Sequence, residues 1–295
     1  MYMHLLSAIA LLGVILLPAI ETKAVPTKIL VGQQQTKSTW QERPDFGKYF
    51  QKAGVRGTFI LYDLKSDRYL VYNPRRANSP FFPASTFKIF NSLVALETGV
   101  VADENEVIKW DGVKREFSAS NRDRTMRTAI RDSIVWFYQE LARRIGQQRM
   151  QRYINLADYG NRNISGGIDR FWLNGGLRIT PLEQIDFLVK LQQNKLPFSQ
   201  RSIAIVKDII INERTKDYVL RGKTGWAREI KPQFGWYIGY LERVSDVYFF
   251  AINIDINKPD DAKARINITK SIFQDLGLLA KTNKSTMRTF PKSLY

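Results

Sequence analysis

The stretch Pro83-Ala84-Ser85-Thr86-Phe87-Lys88-Ile89-Phe90 sets a hydroxyl and an amine three residues apart at the start of an apolar run. Proline is favoured in a first helical turn, and Phe87, Phe90, Leu93 and Val94 recur at helical spacing before Gly99 offers a stop, so the segment reads as a helix start. Residues three apart share a helix face, which aims Ser85 Oγ and the Lys88 amine at one point, the arrangement of a serine nucleophile beside its own base. Ser-x-x-Lys also occurs by chance on solvated helix faces. Two features count against that here: no other serine has a lysine three residues on, and Lys88 stands among Phe87, Ile89 and Phe90 rather than among charges.

Composition narrows the chemistry further. With 295 residues and 44% apolar content the chain buries a sizeable core as one large domain or two intimately packed parts. It has no cysteine, and its single histidine, His4, lies in the N-terminal apolar leader. This removes Ser-His-Asp and Cys-His catalysis and every zinc site that needs Cys or His, so the base of any hydrolase here is a lysine or a carboxylate and no metal site is expected. The net charge of +17 is spread among Asp and Glu with no dense basic run interleaved with stacking aromatics, which reads as a solvated basic surface and not as a nucleic-acid interface.

In chain order, Leu5 to Ile20 is nearly unbroken apolar sequence followed by Glu21-Thr22-Lys23-Ala24. It reads as a signal peptide over 1–24 cleaved after Ala24, with an uncleaved anchor as the alternative, and places the product outside the cytoplasm, periplasmic or secreted, without stable membrane insertion. Residues 25–295 form one domain, beginning with a polar linker to about Gln41. Gly57 to Asp63 and Arg68 to Tyr72 flank Lys65-Ser66-Asp67 as a hairpin. From Ser85 to about Arg214 the pattern is mostly helical. One apolar face carries Ile134, Val135, Trp136, Phe137, Leu141 and Ile145, and another Leu182, Ile185, Leu188 and Val189. Strands return at Tyr218 to Arg221, Trp236 to Tyr240 and Val247 to Ile252. A helix striped by Ile268, Ile272 and Leu276 follows, with a frayed basic tail after Ala280. The expected fold is α/β (α+β): an antiparallel sheet flanked by helices, with an inserted helical subdomain over roughly 85–214.

Three short motifs join the first: Ser133-Ile134-Val135 on the central helix, Tyr159-Gly160-Asn161 in a turn, and Lys223-Thr224-Gly225 opening into a strand. Each is ordinary alone. In this order, with Trp136 to Arg143, Phe171-Trp172-Leu173, Gly235 to Gly239 and Arg265, the set resembles the serine-active penicillin-recognising proteins, most closely the class D β-lactamases, over about Val55 to Leu278. Class A enzymes pair Ser-x-x-Lys with Ser-Asp-Asn and a deacylating glutamate, whereas here the second motif ends in Val135 and the Trp172 segment has no glutamate.

The resemblance implies a β-lactam as small-molecule substrate, Ser85 as nucleophile, and Lys88 carrying a carbamate (N6-carboxylysine) as base. No cofactor is implied beyond the carbon dioxide that forms it. Carbon dioxide attacks only neutral amines; an ordinary lysine of pKa about 10.4 is neutral roughly one time in a thousand near pH 7.4, and apolar burial lowers that pKa by up to about 3–5 units. Phe87 and Phe90, with Val135 and Leu173 by resemblance, form the apolar wall. Trp172, which has one N–H and no acceptor, suits the anion. By the same resemblance Ser133 relays a proton, and the backbone N–H groups of Ser85 and Trp226 hold the oxyanion. Lys223, Thr224 and Gly225 line the opposite wall, and Arg265 with Thr224 binds the substrate carboxylate, while Tyr159-Gly160-Asn161 shapes the cleft rim. Ser120 stands before Asn121-Arg122-Asp123-Arg124-Thr125 where the family often has a tryptophan, so an aromatic is expected to be missing from the cleft mouth. Two non-hydrolytic readings share the site: a β-lactam sensor domain that stays acylated, and a cell-wall peptidase. The sequence carries no sign of oligomeric state.

Overall fold

In the computed structural model, residues 38–280 are described. The signal-peptide reading and the basic tail lie outside them. A seven-stranded sheet runs β1 (Thr39–Glu42), β3 (Arg68–Tyr72), β2 (Gly57–Asp63), β9 (Val247–Asp255), β8 (Phe234–Arg243), β7 (Tyr218–Ala227), β6 (Ile211–Arg214). All neighbours are antiparallel except β1 on β3. Two differences from the sequence reading appear at its edges. The end of the polar linker is the edge strand β1, and the chain returns to the sheet at Ile211 rather than at Tyr218.

Side chains alternate across a strand, and here both faces are covered, so the strands are apolar on both sides. On β2 and β9, Phe59, Leu61, Phe250 and Ile252 face one cluster while Ile60, Phe249 and Ala251 face the other. The first face packs on α1 (Gly47–Ala53) and the C-terminal helix, with Phe50, Ile272 and Phe273. The second meets the short α2 (Pro74–Ala77), the helix α3 (Lys88–Glu97) and the elements that follow it.

α3 is buried along its whole length except at its C-terminal Glu97, as expected of a helix packed on all sides. Besides Lys88, its buried polar residues join it to a neighbour: Asn91 Nδ2 donates to Tyr138 O at 3.0 Å and Ser92 Oγ lies 2.9 Å from Tyr138 Oη. The intervening chain forms a two-stranded ribbon, β4 (Val107–Ile108) with β5 (Arg124–Thr125), then α4 (Met126–Arg131), α5 (Val135–Ile145) and α6 (Gln147–Ala157). After a long loop come α7 (Pro181–Gln192), packed across β8 and β9, α8 (Gln200–Ile209) and finally α9 (Ala264–Asp275). The inserted helical part therefore closes before α7, which belongs to the sheet layer.

One topological fact positions the site. β6 pairs with β7 only at Val219 to Arg221, so beyond Gly222 the strand Lys223–Ala227 is bonded to β8 on one side and has an open edge on the other. An open edge is a template for an extended ligand.

Candidate active site

The nucleophile turn is a 3-10 turn, Ala84–Phe87, leading directly into α3. Ala84 is held at φ +48°, a conformation costly for a residue with a Cβ, and its N–H donates to Trp172 O at 3.0 Å. Thr86 Oγ1 donates to Pro83 O at 2.7 Å and accepts from the buried Gln184 Nε2 at 2.9 Å. Two neighbouring segments thus fix the backbone around Ser85. Gly225 closes the turn from the strand side, since a Cβ there would stand 3.2 Å from Pro83 O and from Thr86 Cγ2. A side chain there would press the turn back by a few tenths of an ångström, so glycine lets β7 lie close against the residues that flank the serine.

Lys88 Nζ is hydrogen bonded to Ser85 Oγ at 2.6 Å. Its side chain is 1% exposed and lies 5.4 Å from the centre of the Tyr138 ring. Burial, reinforced by the positive charge of Lys223, pushes its pKa well below the ordinary lysine value. The Trp172 indole stacks on Phe87, the residue before Lys88, at 5.2 Å between ring centres and packs edge-on against Phe171 at 4.9 Å, and its buried Nε1 has no hydrogen-bond partner. An orphaned buried donor costs about 1–3 kcal/mol and calls for an acceptor.

Ser133 and Lys223 face this pair. Ser133 sits at φ +55° in the link between α4 and α5, and its Oγ accepts from Lys223 Nζ at 3.0 Å. Lys223 is 3% exposed, and burial, followed by the charge of Arg265, lowers its pKa to about 7. Arg265 enters from the first turn of α9 and crosses beneath Gly235, where a Cβ would lie 2.8 Å from Arg265 Cδ. Its Nε donates to Ala262 O at 2.6 Å and its Nη1 to Gly225 O, leaving Nη2 uncommitted. Burial, with the charge of Arg228 second, lowers its pKa to about 9. Lys88, Lys223 and Arg265 are all buried, and none has a carboxylate partner. Buried cations are ordinarily paired, so this cluster is built for an anion from outside.

The structure joins Lys88 to Ser85, Lys223 to Ser133 and to Thr224 O, and Arg265 to Gly225 O, with Trp172 stacked on Phe87 and Trp226 next in the strand after Gly225; four positions differ from the sequence reading. Ser133 precedes α5 instead of lying on a helix, and its left-handed backbone is the reason. Tyr159 is not at the cleft rim: it is 1% exposed and packs against Phe87, Phe90 and Phe187 behind the serine. Val135 is 39% exposed and Leu173 partly so, so neither is a fully buried wall residue, and the Tyr138 ring stands 5.4 Å from Lys88 Nζ. Ser120 is buried, and its carbonyl accepts the Trp136 indole N–H at 2.7 Å, so position 120 is a packing point in a turn. Tyr138, Gln184 and Gly235 went unassigned, because each acts through a distant segment.

Comparisons with known proteins agree with this geometry. The family described as the penicillin binding protein transpeptidase domain matches residues 32–276. β-Lactamase OXA-48 of Klebsiella pneumoniae is 43% identical over 245 residues, covering 83% of this chain and 92% of that protein. The probable β-lactamase YbxI of Bacillus subtilis is 46% identical over 223 residues, 76% of this chain and 82% of the relative. Among solved structures, the class D β-lactamase YbXI from Nostoc superposes with a TM-score of 0.78 at 51% identity, covering 79% of this chain and 99% of its own. FUS-1 (OXA-85) from Fusobacterium nucleatum subsp. polymorphum gives 0.79 at 41% identity, covering 81% and 100%.

Proposed function

The chain belongs to the class D β-lactamases, which are hydrolases, and from that premise we propose that it opens penicillin-type antibiotics through a Ser85 acyl-enzyme, with Lys88 as general base. The observation that carries this reading is the bond of the buried Lys88 to the partly exposed Ser85, 2.6 Å long and without a carboxylate at the amine. Burial lowers the pKa of Lys88 and so favours its neutral form, whose lone pair can accept the serine proton. Ser85 Oγ then adds to the lactam carbonyl, and the developing oxyanion is received by the backbone N–H groups of Ser85 and Trp226. Ser133, hydrogen bonded to Lys223, hands a proton to the departing lactam nitrogen. The substrate carboxylate binds at Thr224 and the free Nη2 of Arg265, where a guanidinium makes charge-assisted bonds.

Hydrolysis of the ester needs a base for water. The residues fit carbon dioxide bound as a carbamate on Lys88: the amine is desolvated and Trp172 Nε1 is a buried donor without an acceptor. Bound there, carbon dioxide supplies an anionic oxygen base. Phe87 and Phe171 pack against the indole and hold it in place.

We further read the protein as exported, the compartment in which it protects a cell from penicillins; among the described residues no helix is long and apolar enough to cross a membrane. A time course with the chromogenic cephalosporin nitrocefin tests the activity. Turnover sustained over many enzyme equivalents is expected, whereas a burst of one equivalent that then stops is the behaviour of a sensor domain or a cell-wall peptidase and overturns the reading.

Arg265→Ala tests the anchor. It is expected to lower kcat/KM for carboxylate-bearing β-lactams by about 1.5–3 kcal/mol, the worth of a charged hydrogen bond, while the acyl-enzyme still forms. Unchanged kinetics on a penicillin move the anchor elsewhere.

A further inference from the structure

Arg228 lies just past the end of β7, two residues beyond Trp226, with its guanidinium carbon 3.8 Å from the centre of the Trp226 ring. Unlike most surface arginines of this chain it forms no ion pair, and it makes no side-chain hydrogen bond. The acid next to it is already used, since Glu229 accepts from Arg170 Nη2 at 2.9 Å and from Asn174 Nδ2 at 2.7 Å. The stack is fixed from both sides. Trp226 Nε1 donates to Gln233 Oε1 at 3.0 Å, and Gln233 Nε2 donates to Arg228 O at 3.2 Å. Beside it opens a groove of about 450 Å3 lined by Trp226, Arg228, Gln233, Pro259, Asp260 and Lys263, in which Asp260 is neutralised by Lys263 at 3.2 Å. A guanidinium pinned on an indole face has lost little freedom and keeps its outer N–H groups for a ligand.

We infer that Arg228 is a second anion anchor, a specificity-determining residue that receives a negative group on the acyl side chain of a dianionic β-lactam. The inference rests on the proposed placement of substrate along the open edge of β7. There the ring carboxylate sits at Thr224 and Arg265 and the lactam carbonyl at the Trp226 N–H. The acyl side chain leaves the lactam on the side opposite the carboxylate and so runs onward toward Arg228. Thr224 and Trp226, whose ring carries the Arg228 guanidinium, are two strand residues apart, about 7 Å of backbone at about 3.3 Å per residue, a span that the two carboxylates of such a substrate and the reach of an arginine fill together. Two further charges act on the site. Arg228 and Arg265 are close enough for the positive charge of the first to lower the pKa of the second, a repulsion that a dianion relieves. Glu116 acts on Arg228 with the opposite sign and competes with the ligand.

The test compares benzylpenicillin with carbenicillin, which differ by one side-chain carboxylate. Arg228→Gln is expected to lower kcat/KM for carbenicillin roughly tenfold more than for benzylpenicillin, through KM and with a weakened salt dependence, while Arg228→Lys retains part of the preference. Glu116→Gln is expected to shift the preference the other way, toward carbenicillin. Equal effects of Arg228→Gln on both substrates, or none on either, overturn the inference. Arg265→Ala separates it from the reading it rests on. If that variant handles benzylpenicillin normally while Arg228→Gln still discriminates, the carboxylate anchor is misplaced and the second anion site stands.

Discussion

Ser85→Ala is expected to abolish covalent labelling by a penicillin and to reduce hydrolysis by about four to six orders of magnitude, the loss seen when a serine nucleophile is removed from a preorganised site. The backbone donors remain in place, because the turn is held by Ala84 N–H on Trp172 O, by Thr86 on Pro83 and by Gln184, none of which uses the Ser85 side chain. The single hydrogen bond lost is the one to Lys88 Nζ, so the fold should stay intact within about 1 kcal/mol. Intact-mass spectrometry after incubation with benzylpenicillin decides the matter. An adduct of penicillin mass on the variant places the nucleophile elsewhere, and Ser133, the other serine of the cluster, becomes the residue to examine.

Elements with local signals are legible in the sequence, and those set by distant contacts are not. The β2–β3 hairpin is legible to the residue because its signals are local: two short runs of apolar and aromatic residues with Lys65-Ser66-Asp67 between them. The run of strand formers in β7 ends at Arg221, because Gly222 and Gly225 interrupt it, and Lys223-Thr224-Gly225 reads only as the opening of a strand. The structure supplies the reason for both glycines: Gly222 faces Gly239 across the β7–β8 ladder, and Gly225 makes room for the nucleophile turn. β6 was hidden because Ile211-Asn212-Glu213-Arg214 follows α8 with no break, and an edge strand with polar residues carries little period-2 signal. Tyr159 looked like a rim residue because Tyr-Gly-Asn has turn composition, whereas its burial is decided by Phe87, Phe90 and Phe187, which arrive from α3, its approach and α7. Arg265 was assigned by resemblance, but the feature that lets it reach Gly225, the absence of a side chain at Gly235, is a relation across some thirty residues that no local pattern states.

The largest effect after loss of the nucleophile is expected at the deacylation step, and it turns on two atoms, Lys88 Nζ and Trp172 Nε1. Lys88 is forced toward neutrality first by burial and then by Lys223, so its folded pKa lies well below the ordinary value. The sign follows directly: the amine is competent above that lowered pKa and is protonated as pH falls through it, so activity drops on the acid side. Acid also drives carbon dioxide off a carbamate, and added bicarbonate at constant pH and ionic strength should then restore rate, which it cannot do for a plain neutral lysine. Trp172→Phe keeps the ring stacked on Phe87 but removes the buried donor that has no partner of its own. It is expected to slow deacylation by about 10²–10⁴-fold, the worth of a positioned general base, and to slow acylation much less, so that acyl-enzyme accumulates. A purely structural role for the indole would instead depress both steps together. Carbon-13 NMR in labelled bicarbonate should give a carbamate resonance in the wild type that is weakened in Trp172→Phe and absent in Lys88→Ala. If the wild type gives no such resonance near neutral pH and its rate ignores bicarbonate, water must be activated by the bare amine of Lys88, and the unpartnered indole of Trp172 needs another explanation.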